Sequence, residues 1–112
     1  DLNMISIVCA DDLKEVEALS QFSPDFIAIE PPELIGKGIA VSKANPSIIK
    51  DSVQVVKENA STVKVLCGAG IVDKTDVEKA LELGAEGILI SSGVVKSPSW
   101  YNKILELSSV LK

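Results

Sequence analysis

The stretch FIAIEPPELIGKG, residues 26–38, joins a short apolar run to a loop that is rich in proline and glycine. The run Phe26–Ile29 is typical of a buried strand in a parallel sheet, and Glu30 stands where that strand should stop. A carboxylate at the end of a buried strand is costly to desolvate, so it usually has a function. The prolines stiffen the start of the loop, and the glycines let its far end move and approach a ligand. The pattern predicts a catalytic base followed by a hinged lid, whereas the alternative is a surface glutamate before an ordinary turn.

Strand and helix patterns alternate along the rest of the chain. Near-continuous apolar runs predict four buried strands, at Met4–Cys9, Phe26–Ile29, Val63–Cys67 and Gly87–Ile90. Apolar faces behind capping residues predict four helices, which begin after Asp11 or Asp12, at Pro46, after Asp73 or Thr75, and after Ser99. These helices should end near Leu19, Asn59, Leu83 and Leu111, and a single helical turn is expected at Val94–Lys96. Right-handed crossovers between successive units place the four strands in one parallel sheet.

Segments rich in glycine and serine lie after the predicted strands and not before them. Gly68–Gly70 follow the third strand, and Ser91–Gly93 follow the fourth, just ahead of the predicted helical turn. Small residues before a helix favour an anion, because free backbone N–H groups and the helix dipole both attract negative charge. TIM barrels and doubly wound sheets both bind ligands at the carboxyl ends of their strands, and TIM barrels commonly bind phosphate after their last two strands. Taken alone, Gly68–Gly70 is equally consistent with a tight turn, whereas the two motifs together, downstream of the glutamate-lid segment, favour an anion site.

Composition excludes several classes of function. The net charge is −5 with no basic cluster, which argues against nucleic acid or an anionic membrane as a partner. Histidine is absent, so this chain offers no imidazole as acid, base or metal ligand. We expect a cytoplasmic protein, because no apolar run is long enough to span a bilayer and no leader precedes the first strand. Cys9 and Cys67 each close an apolar run and are predicted to be reduced, buried thiols.

Four segments of the chain resemble the triosephosphate isomerase family, in particular its compact archaeal branch. They are Ile7–Cys9 with the acidic residues that follow, Ala28–Gly38, Val65–Ile71 and Glu86–Val94. They span nearly the whole chain, and the glutamate-lid segment is the most specific of them. The resemblance implies an α/β fold, the (β/α)8 TIM barrel. Residues 1–112 would then be the C-terminal half of a single barrel domain, strands five to eight with their helices.

The resemblance also implies a substrate and a site. Glu30 matches the catalytic base, which moves a proton between adjacent carbons of a triose phosphate through an enediolate. Residues 31–38 match the lid that closes over this substrate. The implied phosphate contacts are Ile35, Gly36, Gly70, Ser91 and Ser92. The implied reaction interconverts glyceraldehyde 3-phosphate and dihydroxyacetone phosphate, and it uses neither a metal ion nor another cofactor.

The chain departs from the family's pattern at the lid and at the phosphate loops. Lys37 stands where members often carry Thr, and Gly70 stands where bacterial and eukaryotic members usually carry Ser. Those members also have two glycines at the positions of Ser91 and Ser92, so here a backbone N–H or a serine hydroxyl must bind the phosphate.

The family's catalytic Lys, electrophilic His and substrate-positioning Asn belong to its N-terminal half. By this resemblance they would lie ahead of Asp1. We therefore expect the half to be inactive alone and to pair with the missing N-terminal half, and we expect a homo-oligomer, a dimer or a tetramer. An unpaired half-barrel would leave an apolar face and two strand edges open, so it should not be a monomer.

Two other functions stay open. A non-catalytic, phosphate-binding half-barrel that assembles with another chain would keep the anion site without turnover. A doubly wound domain of the flavodoxin or response-regulator type would need helices on both faces of the sheet and a ligand at a strand-order switch.

Overall fold

Strands and helices alternate through residues 2–111, which this computed structural model describes. The strands of this range are β1 (Ile7–Ala10), β2 (Phe26–Ile29), β3 (Lys64–Cys67) and β4 (Gly87–Ile88). Its α-helices are α1 (Leu13–Ser20), α2 (Val41–Ala44), α3 (Pro46–Asn59), α4 (Lys74–Glu82), α5 (Ser92–Val95) and α6 (Trp100–Ser108). A 3-10 turn, Pro32–Leu34, follows β2. None of the helices in this range is long and apolar enough to cross a lipid bilayer. The end residues of the predicted domain, Asp1 and Lys112, lie outside the described range.

The strands form one sheet in the order β1-β2-β3-β4, and each neighbouring pair is parallel. The predicted α/β class with a parallel sheet is confirmed. Ile29 pairs with Ala10 on one side and with Cys67 on the other, so the first three strands end at the same level. The doubly wound alternative is wrong for this chain, because the sequential strand order contains no point at which the order reverses.

The two faces of the sheet have different neighbours. On one face of the sheet, the strand side chains lie in the hydrophobic core; they are Ala10, Ile27, Ile29, Val65 and Cys67. The same core contains one or more buried residues from each long helix, among them Val16, Ile49, Val77 and Leu107. On the opposite face, Cys9, Ala28 and Leu66 lie side by side in the strand register and outside that core. Ala28 and Leu66 on the inner strands are buried, whereas Cys9 on the edge strand is exposed.

The first strand differs from its prediction in length and burial. Pairing begins at Ile7, opposite Phe26, and not at Met4. Met4 and Ile5 are 75% and 73% exposed, because they precede the paired segment of an edge strand. The prediction that Cys9 is buried is also wrong, since its side chain points away from the core.

Side chains cap the starts of α1, α4 and α6, as the sequence predicts, whereas Asn45 at the start of α3 makes no capping hydrogen bond through its side chain. Asp12 is the N-cap of α1, and its Oδ1 accepts the Glu15 N–H at 2.9 Å. Asp73 is the N-cap of α4, and it forms a capping box with Asp76 in which each side chain accepts the other's backbone N–H. Pro46 occupies the first turn of α3, where its missing N–H costs nothing.

The predicted bounds of β2 and α3 are confirmed, and other elements shift by a few residues. β4 ends at Ile88 and not at Ile90, α5 begins at Ser92 and not at Val94, and α6 ends before the predicted Leu111. Helix α2 was not predicted, because a helix of four residues is too short to show a helical period.

Removing the N-cap of α1 tests whether the Asp12 side chain stabilises the start of this helix. We expect Asp12→Ala to lower the free energy of unfolding by about 1 kcal/mol, because the Glu15 N–H loses its acceptor. Asp11→Ala is the matched control, since the Asp11 side chain does not cap the helix, and its loss should stay within about 0.5 kcal/mol. Urea denaturation of both variants measures the difference, and equal losses would contradict the assignment of the cap.

Candidate functional site

A pocket of about 310 Å³ opens at the carboxyl ends of β2, β3 and β4. Its lining includes every site residue that the sequence singled out: Glu30, Ile35, Gly36, Gly70, Ser91 and Ser92. The parallel register explains the convergence, because it brings the residues that follow successive strands to the same edge of the sheet. We refer to this cavity as the strand-end pocket.

Glu30 is the residue that directly follows β2. Its backbone N–H donates to the Ala10 carbonyl oxygen at 2.9 Å, so the main chain is still held in the sheet register when the carboxylate begins. Gly68 stands beside it on β3, and a Cβ at Gly68 would come within 2.6 Å of the Glu30 Cγ. The glycine therefore gives the glutamate room to reach into the pocket, where its side chain is half-buried.

The loop Pro31–Gly38 has a fixed start and a free middle. Pro31 is buried against the sheet, and the 3-10 turn follows it. Gly36 and Gly38 adopt φ values of +71° and +74°, a conformation that side chains strongly disfavour, with open space around both. Ile35 and Gly36 line the pocket from this loop and are otherwise exposed. Leu34 packs against the core, whereas residues 35–38 are exposed, so this later part of the loop can rearrange over the pocket without unpacking the core.

The far end of the loop is fastened to the segment that follows β3. The Val41 N–H donates to the Ala69 carbonyl oxygen at 3.2 Å. A Cβ at Gly70 would overlap the Ile39 carbonyl oxygen, so the two backbones are in direct contact. Gly70 also has φ +75°, and because it has no side chain, its backbone N–H is the donor that it can offer a ligand.

The fourth strand leads into the short helix α5. Ser91 precedes the helix, and Ser92 and Gly93 lie in its first turn, where amides have no acceptor within the helix. Gly93 packs against the Ile71 carbonyl oxygen without room for a Cβ. The Trp100 Nε1–H donates to the carbonyl oxygen of Val95 at 2.9 Å and so ties the end of α5 to α6. No lysine lines the pocket within residues 2–111, so backbone amides and serine hydroxyls are the donors that this range offers.

Sequence reasoning missed two features of this site. The apolar lining from Ile71, Leu89 and Ile90 gave no motif, because these residues look like ordinary strand and loop positions. Asp76 was also missed, although the spacing of Asp73 and Asp76 is a capping-box pattern that could have singled it out. Among residues 2–111, the structure has no group of three or more His, Cys, Asp or Glu side chains that could hold a metal ion.

The two cysteines are free thiols with different environments. Burial raises the pKa of Cys67 to about 12. Cys9 is near the pocket and its pKa is also raised, first by partial burial and then by the negative charges of Glu30 and Asp11. Neither thiol is therefore activated as a nucleophile.

Comparison with known proteins identifies relatives over nearly the whole chain. A sequence model of the family described as triosephosphate isomerase matches residues 2–108. The chain is 52% identical over 107 residues to a triosephosphate isomerase of Methanocaldococcus jannaschii, which covers 96% of this chain and 49% of that relative. It is 49% identical over 111 residues to the enzyme of Archaeoglobus fulgidus, with 99% of this chain and 50% of the relative covered. The chain thus spans about half the length of the curated relatives it matches.

The thiol of Cys9 can report on the charge of Glu30. Because its pKa is raised, its thiolate fraction near pH 8 is small, and alkylation should be slower than for a free cysteine and should keep rising as the pH approaches that pKa. Glu30→Gln removes one negative charge and should speed alkylation at fixed pH. Glu33→Gln, an exposed change in the loop, should leave the rate unchanged. Iodoacetamide labelling followed by mass spectrometry measures both, and equal rates in all three proteins would contradict the proximity of Glu30 and Cys9.

Proposed function

The chain belongs to the triosephosphate isomerase family, and we propose that it acts in the interconversion of glyceraldehyde 3-phosphate and dihydroxyacetone phosphate. The observation that carries the proposal is the strand-end pocket, which gathers all six residues proposed for this chemistry from sequence. Their convergence supports a single substrate site and not a set of unrelated turns.

In this proposal, residues 1–112 are the C-terminal half of a (β/α)8 barrel, strands five to eight with their helices. The sequential parallel order and the core on a single face of the sheet support it, because a barrel places its helices outside and its other face inside. The exposed side chains of Ile7 and Cys9 on that inner face also support it. The remaining strands of the barrel would cover them.

Glu30 is the proposed base. Its carboxylate takes a proton from the carbon next to the substrate carbonyl, and the electrons of that C–H bond form the enediolate. The carboxylic acid then returns the proton to the neighbouring carbon, so nothing is consumed overall. The position of Glu30 supports this role, since the strand fixes its backbone and Gly68 leaves its side chain a path into the pocket. The groups that polarise the carbonyl would come from the Lys, His and Asn of the N-terminal half.

The substrate phosphate is proposed to bind the backbone N–H groups of Gly36, Gly70, Ser91 and Ser92, next to Ile35. Amides at the ends of parallel strands and at a helix start are well suited to a phosphate dianion. The loop Pro31–Gly38 would close over it, which brings Gly36 to the phosphate and excludes water. Triosephosphate isomerases are themselves the usual example of such a lid.

Activity in this proposal requires the rest of the barrel, and the assembled protein would be a homo-oligomer. The second candidate function is that of a non-catalytic phosphate-binding half-barrel. The observation in its favour is that the chain covers only about half of each relative. An isomerase assay of the chain with and without the complementary half separates the two. Turnover that appears only on reconstitution supports the enzyme, and phosphate binding without turnover in the reconstituted protein supports the alternative.

Shortening the proposed base should impair the reaction severely. In the protein with a complete barrel, we expect Glu30→Asp to reduce kcat on the order of a hundred-fold, because the carboxylate retreats from the carbon acid. Glu86→Asp is the matched control, since Glu86 is an exposed glutamate just before β4, at the opposite edge of the sheet. Near-normal turnover of Glu30→Asp in a coupled assay would rule out Glu30 as the base.

Inorganic phosphate should perturb a defined set of amides. Titration followed by 15N-edited NMR should shift the N–H signals of Gly36, Gly70, Ser91 and Ser92 together, with one common dissociation constant. Sodium chloride at equal ionic strength is the control for non-specific screening. Shifts confined to the outer faces of the helices would place the anion elsewhere.

A further inference from the structure

Asp76 is a buried carboxylate that the proposed reaction does not use. It is 2% exposed and lies in the first turn of α4, behind the strand-end pocket and outside its lining. Its Oδ2 accepts the backbone N–H of Val72 at 2.9 Å and that of Asp73 at 3.3 Å. Its Oδ1 forms an ion pair with the Lys43 Nζ at 2.6 Å. The buried charge is thus fully partnered, and its partners belong to two separate segments of the chain.

The first segment is α2, which begins shortly after Gly38. Lys43 reaches Asp76 and also donates to the Thr75 hydroxyl at 3.1 Å. Ser42 is buried, and its hydroxyl donates to the Asp76 carbonyl oxygen at 3.3 Å. Two consecutive residues of α2 are therefore bound to one residue of α4. Helix α2 is the element into which the loop Pro31–Gly38 runs, so Asp76 fastens the far end of that loop.

The second segment is the one that follows Gly70. Both backbone polar groups of Val72 are hydrogen-bonded. Its N–H donates to the Asp76 carboxylate, and its carbonyl oxygen accepts a hydrogen bond from the Lys103 Nζ at 2.9 Å. The preceding residue, Ile71, lines the pocket and packs its carbonyl oxygen against Gly93. Asp76 therefore also fixes the position of the loop that presents Gly70.

We propose that Asp76 is a positioning residue that sets the far end of the loop Pro31–Gly38 against the Gly70 loop, so that Gly36 and Gly70 address the same phosphate. The inference rests on the proposed function for its substrate. Its physical basis is that two phosphate-binding segments share one carboxylate as their anchor. A displacement of α2 by even about 1 Å would misplace the Gly36 N–H relative to an anion already held by Gly70.

The ion pair between Asp76 and Lys43 is the part of this anchor that a substitution can remove cleanly. In Asp76→Asn the amide oxygen can still accept the Val72 N–H, but the ion pair with Lys43 is lost. Lys43 is half exposed and can then turn to solvent, which removes one of the bonds that hold α2 and loosens it, while the Gly70 loop stays held. Lys43→Met reaches the same state from the other side and leaves Asp76 its two backbone donors.

Hydrogen exchange on the protein with a complete barrel tests the anchor directly. The amides of Ala44 and Asn45 donate to the carbonyl oxygens of Ala40 and Val41 within α2, and they report its local opening. In Asp76→Asn and in Lys43→Met we expect these amides to exchange about tenfold faster, from the loss of a charged hydrogen bond. Amides of α3 should keep their rates, which separates release of α2 from general destabilisation. Lys43→Arg should restore slow exchange, and Glu78→Gln, an exposed charge change on α4, is the matched control.

The phosphate titration then tests the positioning role without any need for turnover. In Asp76→Asn and Lys43→Met the response of Gly36 to inorganic phosphate should weaken, while Ser91 and Ser92 should respond as before. With the triose phosphate as substrate, KM should rise and kcat/KM should fall about tenfold, with Lys43→Arg recovering most of both.

Separate readouts distinguish failure of this inference from failure of the proposed function. Unchanged α2 exchange, or an unchanged Gly36 response, in a folded Lys43→Met protein would overturn the positioning role, whatever the fate of Asp76→Asn. Absence of isomerase activity in the unsubstituted protein would overturn the proposed function, while exchange and phosphate binding would still decide the role of Asp76.

Discussion

The parallel pairing of β2 with β3 is the constraint on which the rest of the structure depends. Its register sets Ile29 opposite Cys67, so the residues that follow, Glu30 and Gly68, emerge side by side at one edge of the sheet. Gly68 is then required to lack a side chain, because the Glu30 stem occupies the space that a Cβ would fill. A shift of one residue in this register would turn the glutamate toward the helices and place an apolar residue at the pocket. The pairing of the strands thus places the residues of the candidate site, and the loops add to a position that the sheet has already set.

The same register divides the side chains of each strand between two environments. Alternate residues enter a core that is almost entirely aliphatic, and they meet the inner faces of α1, α3, α4 and α6. The opposite face has less cover, and on β1 it is open, as the exposure of Ile7 shows. A sheet with one covered face and two unpaired edges is an unusual end state for an isolated chain, because edges and apolar faces invite further association. The relatives are about twice as long as this chain, and in the proposed barrel the remaining strands would cover that opening.

The segments around the pocket differ in how firmly hydrogen bonds hold them in place. The Gly70 loop is held by hydrogen bonds to Val72 from both sides, and α5 is tied to α6 through Trp100. The loop that carries Gly36, by contrast, packs against the core only through its first residues, up to Leu34, and its exposed part, residues 35–38, contains two glycines at positive φ. A combination of rigid donors and one movable wall suits the proposed function, in which a small phosphate ester enters the pocket and water is then excluded. Asp76 lies where the rigid part and the movable part are joined.

The sequence by itself determined the class of fold and predicted the list of candidate site residues. Continuous apolar runs, capping residues and Pro46 are local signals, and they located β2 and the long helix α3 to the residue. Glu30, the glycines and the serine pair were found because their residue types are costly or rare at strand ends. Only the tertiary structure decided that these residues share one pocket, that Cys9 is exposed, and that Gly70 touches the Ile39 carbonyl. The capping-box spacing marks Asp76 in the sequence, but only the tertiary structure showed its ion pair, because its partner Lys43 lies far away along the chain. Local patterns specify local geometry, whereas contacts between distant segments exist only once the sheet has set the segments side by side.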